Sequence, residues 1–266
     1  MSNDRKALSA MAKNPVGHRR FVLFSMPRTG SNMMVSLLKS HPRIACLSAI
    51  FSKVGWTDWS EADRKAPRPH KLAALPAKWN DRDTRIAEME AFLERLLALY
   101  GGKPAFGFKQ HLGGLSDRAT RRVVEQRWAA VILERSNLLA AYSSDRLVEE
   151  TGEGSVMVGE TPTRATVPFD AADFEEFVTR RRTNYDHWSR EVAASGAPYM
   201  TIDYCDARAP GGLDPVAEFL GLETGQFGDP STRKRNPDDI LSRFSNPDEA
   251  RAWLEANGRI DWAVEE

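Results

Sequence analysis

The sequence predicts an α/β protein: a three-layer arrangement in which a central parallel sheet is flanked by helices. Three observations carry this expectation. Short apolar runs recur at 21–26 (FVLFSM), 105–109 (AFGFK), 128–133 (WAAVIL) and 199–204 (YMTIDY). The runs at 21–26 and 128–133 are nearly continuous rather than alternating, as strands covered on both faces require. Between the runs lie segments whose apolar residues repeat at helical spacing, so strands alternate with helices.

Taken in order, the first run leads into Pro27, Arg28, Thr29, Gly30, Ser31 and Asn32, and then into 33–40, where apolar pairs recur at helical spacing. His41-Pro42 stops that helix. Residues 52–83 combine prolines, charges and three tryptophans, Trp56, Trp59 and Trp79, and read as an inserted loop with short helices. From Thr84, the residues Ile86, Met89, Leu93, Leu96, Leu97 and Tyr100 mark one amphipathic helix, ended by Gly101-Gly102. A polar helix is expected over 117–127 and another helix over 137–150, on either side of a third and central strand. Residues 152–168 form a second inserted loop, rich in Gly and Thr, of a length usually reserved for function or disorder. Asp170 opens a long helix with Phe174, Phe177, Val178, Tyr185, Trp188 and Val192 on one face. A short helix at 215–220 and a last helix at 247–256 follow the fourth strand, with a basic segment between them.

The chain of 266 residues suits one large α/β domain or at most two small ones. The expected organisation is a flexible N-terminal segment, 1–20, and a single domain, 21–266, whose C-terminal part, 229–266, holds the basic segment and last helix. Its 37 basic and 37 acidic residues balance, which gives no reason to expect nucleic-acid or broad anionic-membrane binding. Any anion site is therefore local. Cys46 and Cys205 are the two cysteines; they read as reduced thiols, and no Cys/His cluster has zinc-ligand spacing. No stretch approaches the roughly 20 apolar residues that span a bilayer, so no transmembrane segment and a cytoplasmic location are expected.

The strongest chemical signal is the first strand–loop–helix unit. A helix N-terminus presents unpaired N–H groups and the positive end of the macrodipole, and a Gly-containing loop lets the backbone wrap an anion. Arg28 adds a fixed charge, and Thr29, Ser31 and Asn32 add side-chain donors. An ordinary capped turn is the simpler reading. The loop is not a Walker A motif, because no lysine follows Gly30, so nucleotide hydrolysis is not expected.

The stretch 21–51, FVLFSMPRTGSNMMVSLLKSHPRIACLSAIF, resembles the phosphosulfate-loop region of sulfotransferases that use 3′-phosphoadenosine 5′-phosphosulfate (PAPS). It is most similar to the bacterial branch acting on Nod factors, lipopolysaccharide and glycolipids. The resemblance implies a P-loop-like fold, with Arg28 in place of the loop lysine against the phosphosulfate, alongside Thr29, Gly30, Ser31 and Asn32. A second motif has the right order: Arg135 at the end of the third strand, then Ser143 eight residues on, the spacing that binds the cofactor's 3′-phosphate in this family. A surface ion pair and an ordinary helix serine are the plain alternatives. The basic segment Arg233, Lys234 and Arg235 resembles the tail that closes the 3′-phosphate site, although a solvated charge run fits equally.

The resemblance breaks at one place. The branch carries a glutamate after its His-Pro segment; here that position is Ala49, which cannot take a proton. The segment Phe108-Lys109-Gln110-His111-Leu112 resembles the Lys-Thr-His-Leu of cytosolic members and makes His111 the candidate base, with Lys109 assisting the leaving group or the sulfonate oxygens. Two functions follow from the resemblance: a PAPS-dependent sulfotransferase acting without a metal, or a catalytically impaired relative that binds the nucleotide only. The expected partner is a hydroxyl-bearing acceptor, a glycan, glycolipid or small molecule; a homodimer is left open. The tryptophans of 52–83 suit an acceptor pocket or an ordinary core.

Overall fold

The computed structural model describes residues 19–52, 75–100, 102–113 and 117–265. The expected N-terminal segment up to residue 18, most of the insert at 52–83 with Trp56 and Trp59, and Gly101 lie outside the described residues.

The expected sheet is present. β1 (Arg19–Ser25) runs into helix α1 (Ser31–Ser40), then β2 (Ile44–Leu47), α2 (Arg82–Ala87), α3 (Met89–Tyr100), β3 (Ala105–His111), α4 (Asp117–Glu125) and β4 (Ala129–Glu134). Next come α5 (Leu138–Thr151), β5 (Val156–Met157), α6 (Ala171–Ala194), β6 (Tyr199–Asp203), α7 (Tyr204–Arg208), α8 (Asp214–Phe219), β7 (Thr232–Arg233) and α9 (Pro247–Ala256). Five strands form one sheet in the order β2-β3-β1-β4-β6, and every pairing is parallel. All five carboxyl ends therefore lie at one edge, where open α/β sheets hold their ligands.

Alternation of side chains along β1 divides the core between the two faces. Val22 and Phe24 pack with Phe106, Phe108 and Ile132 against Phe92, Leu96 and Trp188 from α3 and α6. Phe21 and Leu23 pack on the other face with Met34 and Leu38 of α1 and Val216 of α8. Gly107 keeps β1 and β3 in register, because a Cβ there would meet the Phe21 ring at 2.5 Å. A third cluster joins α5, α6 and α9 around Tyr142, Phe174, Phe244 and Leu254.

Two expectations need correction, and one strand was not expected. The helix read from Thr84 to Tyr100 is two helices, α2 and α3, which meet at Glu88. Glu88 leaves helical geometry, and its carboxylate accepts from Trp79 Nε1 at 2.9 Å. Residues 44–47 form a strand that the sequence hid within IACL; among the described residues it lies at the sheet edge and pairs with β3 alone. The loop expected over 152–168 holds β5, which pairs antiparallel with β7 from the basic segment. No helix among the described residues is long and apolar enough to cross a membrane.

Candidate anion-binding site

The loop after β1 is bent by two residues in the left-handed region, Arg28 (φ 64°) and Gly30 (φ 78°). Between them Thr29 is fully buried and donates its hydroxyl to the Met26 carbonyl at 2.8 Å, closing the loop. Gly30 is required twice over. Its φ is costly for other residues, and a Cβ would sit 2.3 Å from the Tyr204 ring. As the N-cap of α1, Gly30 offers no capping side chain, so the first-turn N–H groups remain available to an anion. Helix α6 holds the loop from behind. Tyr185 Oη accepts from the Met26 N–H at 3.2 Å and donates to the Leu133 carbonyl at 2.7 Å, and Arg181 donates to the Pro27 carbonyl at 2.7 Å.

A cavity of about 1060 Å³ opens at this edge of the sheet. Arg28, Gly30, Ser31 and Asn32 form one wall, Arg135, Ser144 and Arg243 another, and Lys234, Arg235 and Tyr204 complete it. Arg28 Nε donates to Ser144 Oγ at 3.0 Å and Nη1 to the Gly154 carbonyl at 2.8 Å. Burial pushes the Arg28 pKa down to about 10; Asp145 opposes this, while Arg135, Arg235 and Arg181 add to it. Thr232 Oγ1 and Arg235 Nε, both of residues in the cavity wall, are buried polar atoms with no hydrogen-bond partner among the described residues.

Arg135 follows β4 directly. Its Nε donates to Glu265 Oε1 at 2.7 Å, its Nη2 pairs with Glu265 Oε2, and its Nη1 donates to the Arg28 carbonyl at 2.9 Å. The guanidinium lies 4.6 Å over the Tyr204 ring. Ser143 is fully buried and outside the cavity wall: its hydroxyl donates to the Ala140 carbonyl at 3.2 Å and accepts from Arg243 Nη1 at 3.1 Å. Its neighbour Ser144 is the serine in the wall. In the basic segment, Lys234 Nζ donates to the Glu265 carbonyl at 2.7 Å and pairs with Asp238. Arg235 donates to the Glu153 carbonyl and to Thr151 Oγ1, each at 2.6 Å. Arg233 belongs to β7, and its side chain lies outside the described set.

Lys109 and His111 lie two residues apart on β3 and so share its α1-side face. Lys109 Nζ donates to Asn32 Oδ1 at 2.6 Å. Burial pushes its pKa down to about 8, with Arg28 and Lys39 adding to the effect and Cys46 opposing it. His111 pairs in register with Ser25. Burial, followed by Lys109, pushes the imidazole down to about 4; a backbone bond at Ser25 opposes this, and Arg181 and Arg28 add to it. Its Nδ1 is buried without a hydrogen-bond partner among the described residues. Neither residue is in the cavity wall; Asn32 stands between Lys109 and the cavity. Ala49 is 9% exposed just after β2, and Arg85 fixes that stretch by donating to the Ile50 carbonyl at 2.9 Å. Trp79 belongs to the core, its ring 5.4 Å from that of Phe92.

Sequence reasoning missed Ser144, Arg243, Tyr204 and Glu265. Two had a local signal: Tyr204 ends the fourth apolar run, and Arg243 precedes Phe244 in the tail.

No family model matches the chain, and no curated protein sequence matches it. Among solved structures, a sulfotransferase from Alicyclobacillus acidocaldarius is similar over 92% of this chain and 94% of that one, with 15% identity and a TM-score of 0.46. Retinol dehydratase, in a complex with retinol and PAP, is similar over 95% of this chain and 84% of that one, with 15% identity and a TM-score of 0.38.

Proposed function

We propose that this protein is a PAPS-dependent sulfotransferase that moves a sulfuryl group to a hydroxyl of a glycan, glycolipid or small-molecule acceptor. The observation that carries this reading is one cavity with two separate cationic anchors, Arg28 at the mouth of α1 and Arg135 at the end of β4. A ligand with two phosphate-bearing ends matches that pair, and Thr232 Oγ1 and Arg235 Nε, without partners among the described residues, offer further donors to it. Arg28 with the loop 29–32 holds the 5′-phosphosulfate; Arg135, helped by Lys234 and Arg235 of the basic segment, holds the 3′-phosphate. Ser143 supports that end through Arg243.

In the transfer, the acceptor oxygen forms a bond to sulfur as the bond from sulfur to the bridging phosphate oxygen breaks, releasing 3′,5′-ADP. Arg28, Lys109 and the α1 N–H groups balance the charge growing on the leaving phosphate. The acceptor's proton passes to His111, the candidate base in the absence of a carboxylate at Ala49. No metal has a part in these steps.

A second reading, nucleotide binding without transfer, is favoured by Ala49 and by the place of His111 outside the cavity wall. An acceptor screen with radiolabelled PAPS, paired with calorimetry, separates the two. Transfer to any hydroxyl supports the first. Tight 3′,5′-ADP binding with no transfer in a broad screen supports the second, and binding no tighter than that of 5′-AMP overturns the 3′-phosphate assignment.

A further inference from the structure

Arg135 offers a planar fork for a phosphate, and in the free protein that fork grips an anion of the chain itself. The Glu265 carboxylate takes Nε at 2.7 Å and also Nη2, and the two side chains are only 7% and 1% exposed. Lys234 Nζ stands 3.4 Å from the same carboxylate. Two carboxylate oxygens on one guanidinium reproduce the contact that two phosphate oxygens make. Burial works against the Glu265 charge, but the Arg135 hydrogen bonds and the charges of Arg135, Lys234 and Arg243 outweigh it, so its pKa is lowered. Arg28 differs, since its partners are a hydroxyl and a carbonyl.

The backbone at Glu265 is secured without its side chain. Its N–H donates to the Asp238 carbonyl at 3.0 Å, and its carbonyl accepts from Lys234 Nζ at 2.7 Å. Asn137 Nδ2 donates to the carbonyls of Trp262 at 3.2 Å and Val264 at 3.3 Å. Taking the carboxylate off Arg135 therefore requires the Glu265 side chain to move, and not its backbone.

We propose that Glu265 is a specificity-determining residue: its carboxylate occupies the 3′-phosphate position on Arg135 and yields to that phosphate when nucleotide binds. The inference rests on the nucleotide reading above. The exchange keeps an anion on the buried guanidinium in both states, so Arg135 is never left unpaired. It also lowers apparent affinity for 3′-phosphorylated ligands alone, because only they need the carboxylate to leave.

The test compares the wild type with Glu265→Gln by calorimetry against 3′,5′-ADP and 5′-AMP. The amide keeps the shape and removes the charge. The expected result is 3′,5′-ADP binding tightened about 10-fold or more, the scale of one charge-assisted hydrogen-bonded contact, with 5′-AMP unchanged within about twofold. A wild type that prefers 3′,5′-ADP beside a folded variant that binds it no more tightly overturns the role of Glu265 and leaves the nucleotide reading standing. If neither protein prefers 3′,5′-ADP, the nucleotide reading falls and this inference with it. Should the variant not fold, the wild-type crystal structure with 3′,5′-ADP decides: Glu265 off Arg135 supports the exchange, and Glu265 still bidentate on Arg135 overturns it.

Discussion

Lys109 on β3 donates to Asn32 Oδ1 in the first turn of α1 at 2.6 Å, which ties the sheet to the helix end that lines the cavity. The lysine is 3% exposed, and its pKa is pushed down to about 8 by burial. A residue held at that electrostatic cost fits a role other than stability.

Lys109→Met tests this. The folded-state pKa, about 8, lies below the unfolded value of roughly 10.4, so the native state binds fewer protons between those limits. Wild-type stability should gain from this group as pH rises from about 8 to about 10, and the full cost of burying the charge applies below pH 8. The variant should match or exceed wild-type stability at pH 7, lose that gain at higher pH, and bind 3′,5′-ADP more weakly. Urea denaturation at neutral and alkaline pH, with calorimetry, measures all three. Gross unfolding of the variant at pH 7 would make Lys109 a structural strut.

Arg28→Gly should separate binding from folding. Glycine tolerates the φ of 64° at this position, relieving about 1 kcal/mol of backbone strain. Against this stand the lost bonds to Ser144 and Gly154. Stability should change by less than about 1 kcal/mol, while 3′,5′-ADP affinity should fall about 10-fold or more. Unchanged affinity would remove Arg28 from the site.

Tyr185→Phe addresses the support of the loop. The hydroxyl serves the Met26 N–H and the Leu133 carbonyl, and both lose their partner in the variant. A buried group left unpaired costs about 1–3 kcal/mol. Thermal unfolding should show this loss, and calorimetry should show weaker nucleotide binding because Met26 opens the loop. A variant as stable as the wild type would indicate that water replaces the hydroxyl.

His111→Ala should cut transfer about 10²–10⁴-fold while 3′,5′-ADP affinity stays within about threefold. A base must be neutral to act, so activity falls as pH drops through its pKa. In the free protein that pKa is pushed down to about 4 by burial, with Lys109, Arg181 and Arg28 adding to it. Bound phosphates offset those cations and raise it. The acid limb of kcat, which reports the complex, should therefore lie at higher pH than the limb of kcat/KM. Wild-type turnover in the variant would exclude His111 as the base.

Much of the fold was legible because its signals are local. The runs at 21–26 and 128–133 mark strands through their own residues, and α9 begins and ends where Pro247 and Ala256 indicate. β2 was not legible: four residues carry no period, and IACL becomes a strand only because β3 lies beside it. Trp79 had two readings, and the packing of Phe92 against it decides for the core.

At the site, the chain alone determined that an Arg- and Gly-bearing loop opens α1 and that an arginine follows β4. Those features need only a strand, a turn and a helix in sequence. Whether Ser143 or Ser144 turns toward the cavity was decided by tertiary packing. Adjacent helix residues point about 100° apart, and the third core cluster claims the face of α5 that carries Ser143. Only the folded structure could bring Glu265 onto Arg135 across 130 residues, because local sequence holds no record of which distant carboxylate a guanidinium will meet.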